Sequence, residues 1–483
     1  VYLVFFCLSS LLRRRWVDDE KLVFPLVHLP VDLARYEDSS AGNGRPPAFP
    51  PFLRSKVMWG FFSVPFLVHT LNGLHHYVHL ISLDSALTQR PWYGLSPLWL
   101  RFLFSIIGLA YLLPSQLSFS LWFFYFFFLA QQVVAAAMGI PTPNVQAYPV
   151  KKFVAHQMIG GIVAFGAYHL WHARGDFRGL FAGVFGGRCG GDQSHEALPR
   201  RTSLTAAIIG LLGIALWGGA AGSGVWLTAL LFALFFLVHV VAVRLVCEGG
   251  MLYVQHPFRP LNMLLAASGS RAFGGKIVML ALFDHLFMLD NRSPLMPGIM
   301  QCYKIADAPD PPLSRRGLTG ALAASVVLAV AFSYWSYLRL MYRHGGTSLN
   351  LWFTTYYTKN LYCTWTTNLL AGGAKPEPTA FATMAVGAAT IAGILSMHRT
   401  FLWWPFHPIG YLMGASWPMI NFWFPVFLGW GIKTLVLHYF GAKAYRALLP
   451  GFLGFVLAEF FAAGLWVIVD AACGVKGHQI FSF

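Results

Sequence analysis

The sequence predicts an all-α, polytopic integral membrane helix bundle with about ten full spans plus partial or broken helices, and three observations carry that prediction. Uncharged apolar runs repeatedly reach the ~20 residues that a helix needs to cross ~30 Å of hydrocarbon. Charged residues make up 11% of the 483-residue chain and hydrophobic residues 57%, whereas soluble domains carry roughly 25% charge. Finally, the 34 Lys and Arg give a formal net charge of +16 but fall between the apolar runs. Retention of positive charge on the cytoplasmic face explains that placement, and with no basic patch on a soluble module, nucleic acid is not an expected partner.

Taken in order, residues 1–12 read as the tail of a truncated helix, too short to span. Arg13, Arg14 and Arg15 follow at once and place residues 13–56 on the cytoplasmic side as a surface loop. The first full span is 57–81. Pro114-Ser115-Gln116 divides the next uncharged run into helices over 98–113 and 117–139. A span over 153–172 ends in a cytoplasmic loop, 173–203, that carries Arg174, Arg178, Arg188, Arg200 and Arg201.

Spans over 204–221 and 225–246 lead to the mixed segment 248–276. His256-Pro257-Phe258-Arg259-Pro260 cannot continue a helix there, so the expectation is a cytoplasmic loop dipping into the membrane. A short span over 275–290, a partial return over 293–305 and a clean span over 318–340 precede an external loop, 341–378, whose aromatics suit the headgroup interface. The span 379–398 follows. The uncharged run after Arg399 is too short for two crossings, so 408–432 reads as a re-entrant or broken hairpin turning near Trp417 to Asn421. A basic turn from Lys433 to Arg446 and a last span over 447–470 complete a single transmembrane domain with no short-period repeat.

Six cysteines are scattered without a CxxC pair, which indicates neither a disulfide framework nor a metal site. No Walker A loop, HExxH, GxSxG or CxxCH occurs, so ATP-driven, proteolytic, lipolytic and covalently haem-bound activities find no support. An enzyme is not expected, and no metal or cofactor is predicted.

Ionisable residues inside apolar spans are expensive and carry the functional candidates. Glu459 lies at mid-depth in the last span, as a proton-coupling carboxylate or as a neutral or salt-bridged fastener. Asp284 and His285 sit side by side in the short span, where adjacent positions do not face one another. His69, Asn72, His76 and His79 share one helix face, fit to line a proton path, to ligate a haem or pigment, or to bond neighbouring helices. Asn421 and His407 belong to the broken hairpin, and Gly410 and Gly414 have close-packing spacing. Arg244 and Glu248 have the spacing of a structural ion pair on one helix.

Arg13-Arg14-Arg15-Trp16-Val17, Phe24-Pro25-Leu26-Val27-His28-Leu29-Pro30, Asn72-Gly73-Leu74-His75, Ser118-Phe119-Ser120-Leu121-Trp122-Phe123-Phe124 and Phe401-Leu402-Trp403-Trp404-Pro405-Phe406-His407-Pro408-Ile409-Gly410-Tyr411 together resemble an uncharacterised family of bacterial multi-pass membrane proteins, known only through domains of unknown function. That likeness covers nearly the whole chain and implies further helices before Arg13. More distantly, the stretch from Pro425 to Val469, an apolar entry, a basic turn and a Gly-rich helix with one acid, is similar to the end of oligopeptide transporter superfamily proteins.

The expected function is secondary, proton-coupled transport of a small organic or peptide-like solute across a bacterial cytoplasmic (inner) membrane. Half-helix ends of the broken hairpin would meet the solute, with Glu459 as coupling carboxylate and Asp284, His285, His69, Asn72 and His76 along the path. The alternative is a scaffold or accessory subunit of a larger membrane complex, its histidines ligating haem or pigment. Expected partners are the lipid bilayer, a small solute and protons, and other membrane subunits or a second copy.

Overall fold

Prolines and glycines decide where this chain stops being one helix and starts being another. The computed structural model describes residues 1–35, 49–78, 86–89, 98–146, 148–175, 178–179, 196–288, 295–309, 312–348 and 352–475. Helix α1 (Tyr2–Arg13) runs into one π-helical turn at Arg14–Asp19, and a short α2 (His28–Ala34) precedes α3 (Lys56–Val78). An antiparallel ribbon pairs β1 (Ala86–Gln89) with β2 (Leu98–Arg101), Ala86 opposite Arg101. Helix α4 (Phe104–Leu112) stops because Pro114 forces Leu113 into an extended conformation, φ −63°, ψ 150°. Helix α5 (Ser115–Ala137) begins directly after it.

Helices α6 (Lys152–His172), α7 (Arg200–Ala220) and α8 (Val225–Gly249) follow. Pro257 and Pro260 end helical continuation, and α9 (Pro260–Ser268) takes Pro260 as its first residue, where a missing N–H costs nothing. It ends at Gly269, φ 69°. After it come α10 (Ile277–Met288), α11 (Leu295–Ala306) and α12 (Arg315–His344). A π-helical stretch, Trp352–Thr364, leads into α13 (Trp365–Leu370) and then α14 (Pro378–Thr400). The break then recurs: α15 (Pro408–Met413) opens on Pro408 and is followed by α16 (Trp417–Tyr439) and α17 (Gly441–Cys473).

Among the described residues nine helices are long and apolar enough to cross a membrane. The chain is thus an all-α, multi-pass helix bundle, as its apolar runs predict. It divides into two compact units, one of residues 1–22, 143–244 and 255–392, the other of 23–142, 245–254 and 393–483.

In the first unit, α1 packs on α7 and α11. Helices α6 and α14 touch backbone to backbone, since a Cβ on Gly160 would overlap the Met384 carbonyl and one on Gly387 the Gln157 carbonyl. Arg13 ties the π-helical turn to the end of α11, 3.1 Å from Asp18 and 3.0 Å from Asp307, and Arg15 and Arg244 both hold Glu20.

In the second unit, α17 packs along α3 and α4, and α16 along α4 and α5. Its core stacks Tyr111 on Phe452 with ring centroids 3.7 Å apart. Gly410 and Gly414 press against Ser120 and Phe124 of α5, which confirms close packing as the reason for small residues there.

Several expectations need correction. Residues 98–101 form a strand rather than the start of a helix. The segment 248–276, expected as a loop, contains α9, whose buried residues are Pro260, Leu261, Leu265 and Ala266. Lys433 does not open a basic turn: it is buried inside α16, its amine donating to the Leu113 carbonyl, and the turn lies at Phe440 and Gly441 instead. The last helix consequently begins at Gly441, well before 447. The break in the broken hairpin falls at 414–416, and α16 then continues as a full-length helix. Expectations for 36–48, 90–97 and most of 173–203 lie outside the described residues.

Candidate functional site

The N-terminus of α9 is the most unusual polar place in the first unit. Arg259 is its cap residue, held extended at φ −120°, ψ 155° by the proline that follows, and its side chain has no exposure. One guanidinium nitrogen, Nη1, stands 3.2 Å from Oδ2 of Asp284 on α10, and the guanidinium lies 4.1 Å above the Trp365 ring. Because Pro260 has no N–H, the first amide that α9 can offer is that of Leu261, which donates to Asp284 Oδ1 at 3.0 Å. The Asp284 carboxylate therefore occupies the positive end of the helix dipole. It too has no exposure.

His285, the next residue, turns its ring to Tyr357 and Tyr362, with centroids 4.3 and 5.3 Å away, and the Tyr357 hydroxyl donates to its carbonyl. What sets this place apart is what stays outside any hydrogen bond among the described residues. The three guanidinium nitrogens of Arg259, Oδ2 of Asp284 (ion-paired with Nη1 but without hydrogen-bond geometry), both ring nitrogens of His285 and the Thr366 hydroxyl are buried without a hydrogen-bond partner. Each such group ordinarily costs a few kcal/mol (~1–3), and buried polar atoms are nearly always satisfied.

In the second unit, Glu459 serves as a helix cap. Its Oε2 accepts from the Ser105 N–H at 2.6 Å, in the first turn of α4, and its Oε1 lies 3.3 Å from His69 Nε2. At the other end of α4, Lys433 reaches the Leu113 carbonyl and sits 5.0 Å over the Tyr445 ring. The acid is at the positive end of the dipole and the cation at the negative end, which is the stabilising arrangement at both.

The remaining candidates lie elsewhere in this unit. His407 Nε2 is 3.5 Å from Glu248 Oε1, its backbone N–H donates to Ser120 Oγ at 2.7 Å, and its Nδ1 accepts from the Ile409 N–H at 3.3 Å. Asn421 donates to the Trp417 carbonyl at 3.0 Å, while its Oδ1 is buried without a partner. Asn72 is half-buried on α3. The His76 side chain and His79 lie outside the described residues. Arg244 pairs with Glu20 at 2.6 Å in the first unit.

The geometry thus joins His69 to Glu459 and His407 to Glu248, gives Lys433 the Leu113 carbonyl and not Glu459 as its partner, and adds residues that the sequence reading passed over, Arg259 and Trp365 beside Asp284. A sequence signal for Arg259 exists. Pro257-Phe258-Arg259-Pro260 recurs 148 residues later as Pro405-Phe406-His407-Pro408, and the likeness runs on through Leu264/Leu412, Ala267/Ala415 and Ser268/Ser416. In both copies the residue before the second proline is extended, and that proline opens a short helix. In both, a carboxylate faces the intervening basic residue, Asp284 at 3.2 Å and Glu248 at 3.5 Å. One element has been used twice.

No curated protein matches this chain. A family model does, over residues 1–482, and the chain accordingly belongs to the family of unknown function DUF6785.

Proposed function

We propose that the chain is a secondary transporter of a small organic or peptide-like solute, driven by protons across a bacterial cytoplasmic membrane. The observation that carries this reading is the Arg259–Asp284 pair, unexposed at the end of a nine-residue helix broken off by proline and glycine. Charges inside a membrane protein are expensive and mark ion and substrate paths, and broken helices present their freed termini to substrates in transporters. The repeated element supports the same reading, because paired interrupted segments point to binding sites.

In this reading Asp284 is the coupling carboxylate. Its protonation removes the charge facing Arg259 and weakens its hold on the Leu261 N–H. The test is uptake of a mixture of short peptides and organic acids into proteoliposomes under an imposed pH gradient, read by mass spectrometry. The intact chain should accumulate at least one solute, and Asp284→Asn should make that uptake insensitive to the gradient. Accumulation no better than in empty liposomes would reject transport.

A scaffold role in a larger membrane complex draws on α12, because only 6% of its apolar window is buried. That reading requires a companion subunit, or a haem or pigment absorption band, in the protein purified from native membrane.

A further inference from the structure

Arg259 has more hydrogen-bonding capacity than its surroundings use. A guanidinium carries five N–H donors in a rigid fork that suits a carboxylate taken with two parallel bonds. Asp284 does not take it that way. It spends Oδ1 on the Leu261 amide and leaves Oδ2 3.2 Å from one guanidinium nitrogen, so the fork is faced by half a carboxylate.

Two further features meet at the guanidinium, and a third is next to Asp284 in sequence. The N-terminus of α9 adds its dipole and the Leu261 amide. The Trp365 ring covers one face of the guanidinium at 4.1 Å and stabilises its positive charge. His285, the next residue on α10 and 3% exposed, sets its ring against Tyr357 and Tyr362 and keeps both ring nitrogens without a hydrogen-bond partner.

We propose that this place is a binding site for the carboxylate of the transported solute, and that Asp284 is an internal stand-in which yields when protonated. The inference rests on the transport reading for its direction and adds a substrate class and a stoichiometry. With Arg259 charged and Asp284 ionised, the site has no net charge. One proton converts the Asp284 carboxylate to the neutral acid, and one solute carboxylate then takes its place at the Leu261 N–H and the guanidinium fork. The site is again neutral. Because an unbalanced charge in a low-dielectric interior is costly, a proton and a carboxylate enter together, one for one, and leave together.

The test is thermal unfolding of the purified full chain in lipid nanodiscs with propionate, trialanine, trialanine amide or chloride at equal ionic strength. Propionate or trialanine should stabilise the wild type, whichever acts naming a free acid or a peptide carboxyl end as the source, while the amide and chloride do nothing. The apparent affinity should be about tenfold weaker at about pH 8 than at about pH 5.5, since Asp284 competes when ionised. In Asp284→Asn the affinity should agree within about twofold at the two pH values, and Arg259→Gln added to it should abolish binding.

Absence of stabilisation by both carboxylates, an equal effect of the amide, or binding that survives loss of Arg259 would each overturn the proposal. Should Asp284→Asn fail to fold, the wild-type pH series, the amide control and Arg259→Lys, which should weaken binding by breaking the fork, decide alone. Carboxylate binding without uptake in proteoliposomes would keep the site and remove transport. Uptake unaffected by Arg259→Gln would keep transport and remove the site.

Discussion

Helix α4 in one unit and helix α9 in the other each have nine residues, begin beside an unexposed carboxylate that accepts a first-turn amide, and have a basic side chain on the carboxylate's far side. At α4 both oxygens of Glu459 are engaged and Lys433 serves the opposite end. At α9 Arg259 Nη1 and Asp284 Oδ2 stand 3.2 Å apart without hydrogen-bond geometry, and the other guanidinium nitrogens and the adjacent imidazole have no hydrogen-bond partner. A buried charge whose every atom is used can do no more than fasten the bundle, whereas one with unused atoms is what the proposed carboxylate site requires. Burial does not separate the two cases, since both carboxylates are unexposed. Hydrogen-bond accounting does.

The largest effect that tests this contrast is loss of the Glu459 carboxylate. Glu459→Ala strands the Ser105 N–H and removes the partner of His69, so unfolding stability should fall by ~3–5 kcal/mol, the usual cost of removing one member of a buried pair. Glu459→Gln keeps an acceptor for Ser105 and should cost far less. Neither should change the response to carboxylates. If Glu459→Ala unfolded at the wild-type temperature, or if Glu459→Gln abolished pH-dependent ligand binding, the roles assigned to the two acids would have to be exchanged.

A smaller effect tests how rigidly α4 is held. A Cβ on Gly429 of α16 would stand 2.6 Å from the Ala110 Cβ and 2.8 Å from the Ile107 carbonyl, and one on Gly108 would overlap the Phe452 carbonyl of α17. Neither neighbour is a flexible side chain. Gly429→Ala and Gly108→Ala should each cost about 1–3 kcal/mol in thermal unfolding, as overpacking does. Gly298→Ala on α11, where nothing lies within 4 Å, should be neutral or slightly stabilising. Equal effects at all three would show that α4 is loosely seated, and its contrast with α9 would lose its physical basis.

The spans were readable from sequence because length and apolarity alone fix them. The site was only half readable, and the reason is that sequence presents charges singly whereas a bilayer meets them in pairs. Arg259 lowers the apparent hydropathy of 248–276, so that segment looks like a loop, yet Arg259 is buried against Asp284 of the next span. Lys433 misleads in the same way, since a backbone carbonyl is its partner. Glu459 stands out as a buried acid, but its partner is the amide of a residue 354 positions away, and an amide has no sequence signature. The doubled Pro-Phe-Arg-Pro and Pro-Phe-His-Pro segments were present throughout. Two short helices, each opening on a proline after an extended residue, supplied the register that made them comparable.

The smallest effect concerns an acid that is neither stranded nor fully enclosed. Glu20 lies between Arg15 at 2.7 Å and Arg244 at 2.6 Å, with a quarter of its side chain exposed. Burial pushes its carboxyl pKa up, but the two guanidinium groups outweigh burial and hold it below the ordinary value. A depressed pKa means that the folded state favours the ionised form, so this contribution is complete above the unfolded carboxylate pKa of about 4.3 and disappears as pH falls through the folded value. Glu20→Gln should therefore cost about 1 kcal/mol or less at neutral pH. The gap between variant and wild type should close in acid, below about pH 4, once Glu20 is itself protonated. Under the proposed carboxylate site the sign of the acid limb at α9 is reversed for ligand binding, because protonating Asp284 would release the Leu261 N–H and the Arg259 guanidinium to the ligand. Opposite acid responses of stability at Glu20 and of carboxylate affinity at Asp284, measured on one preparation, would separate an acid that only holds the fold from one that gives up its place.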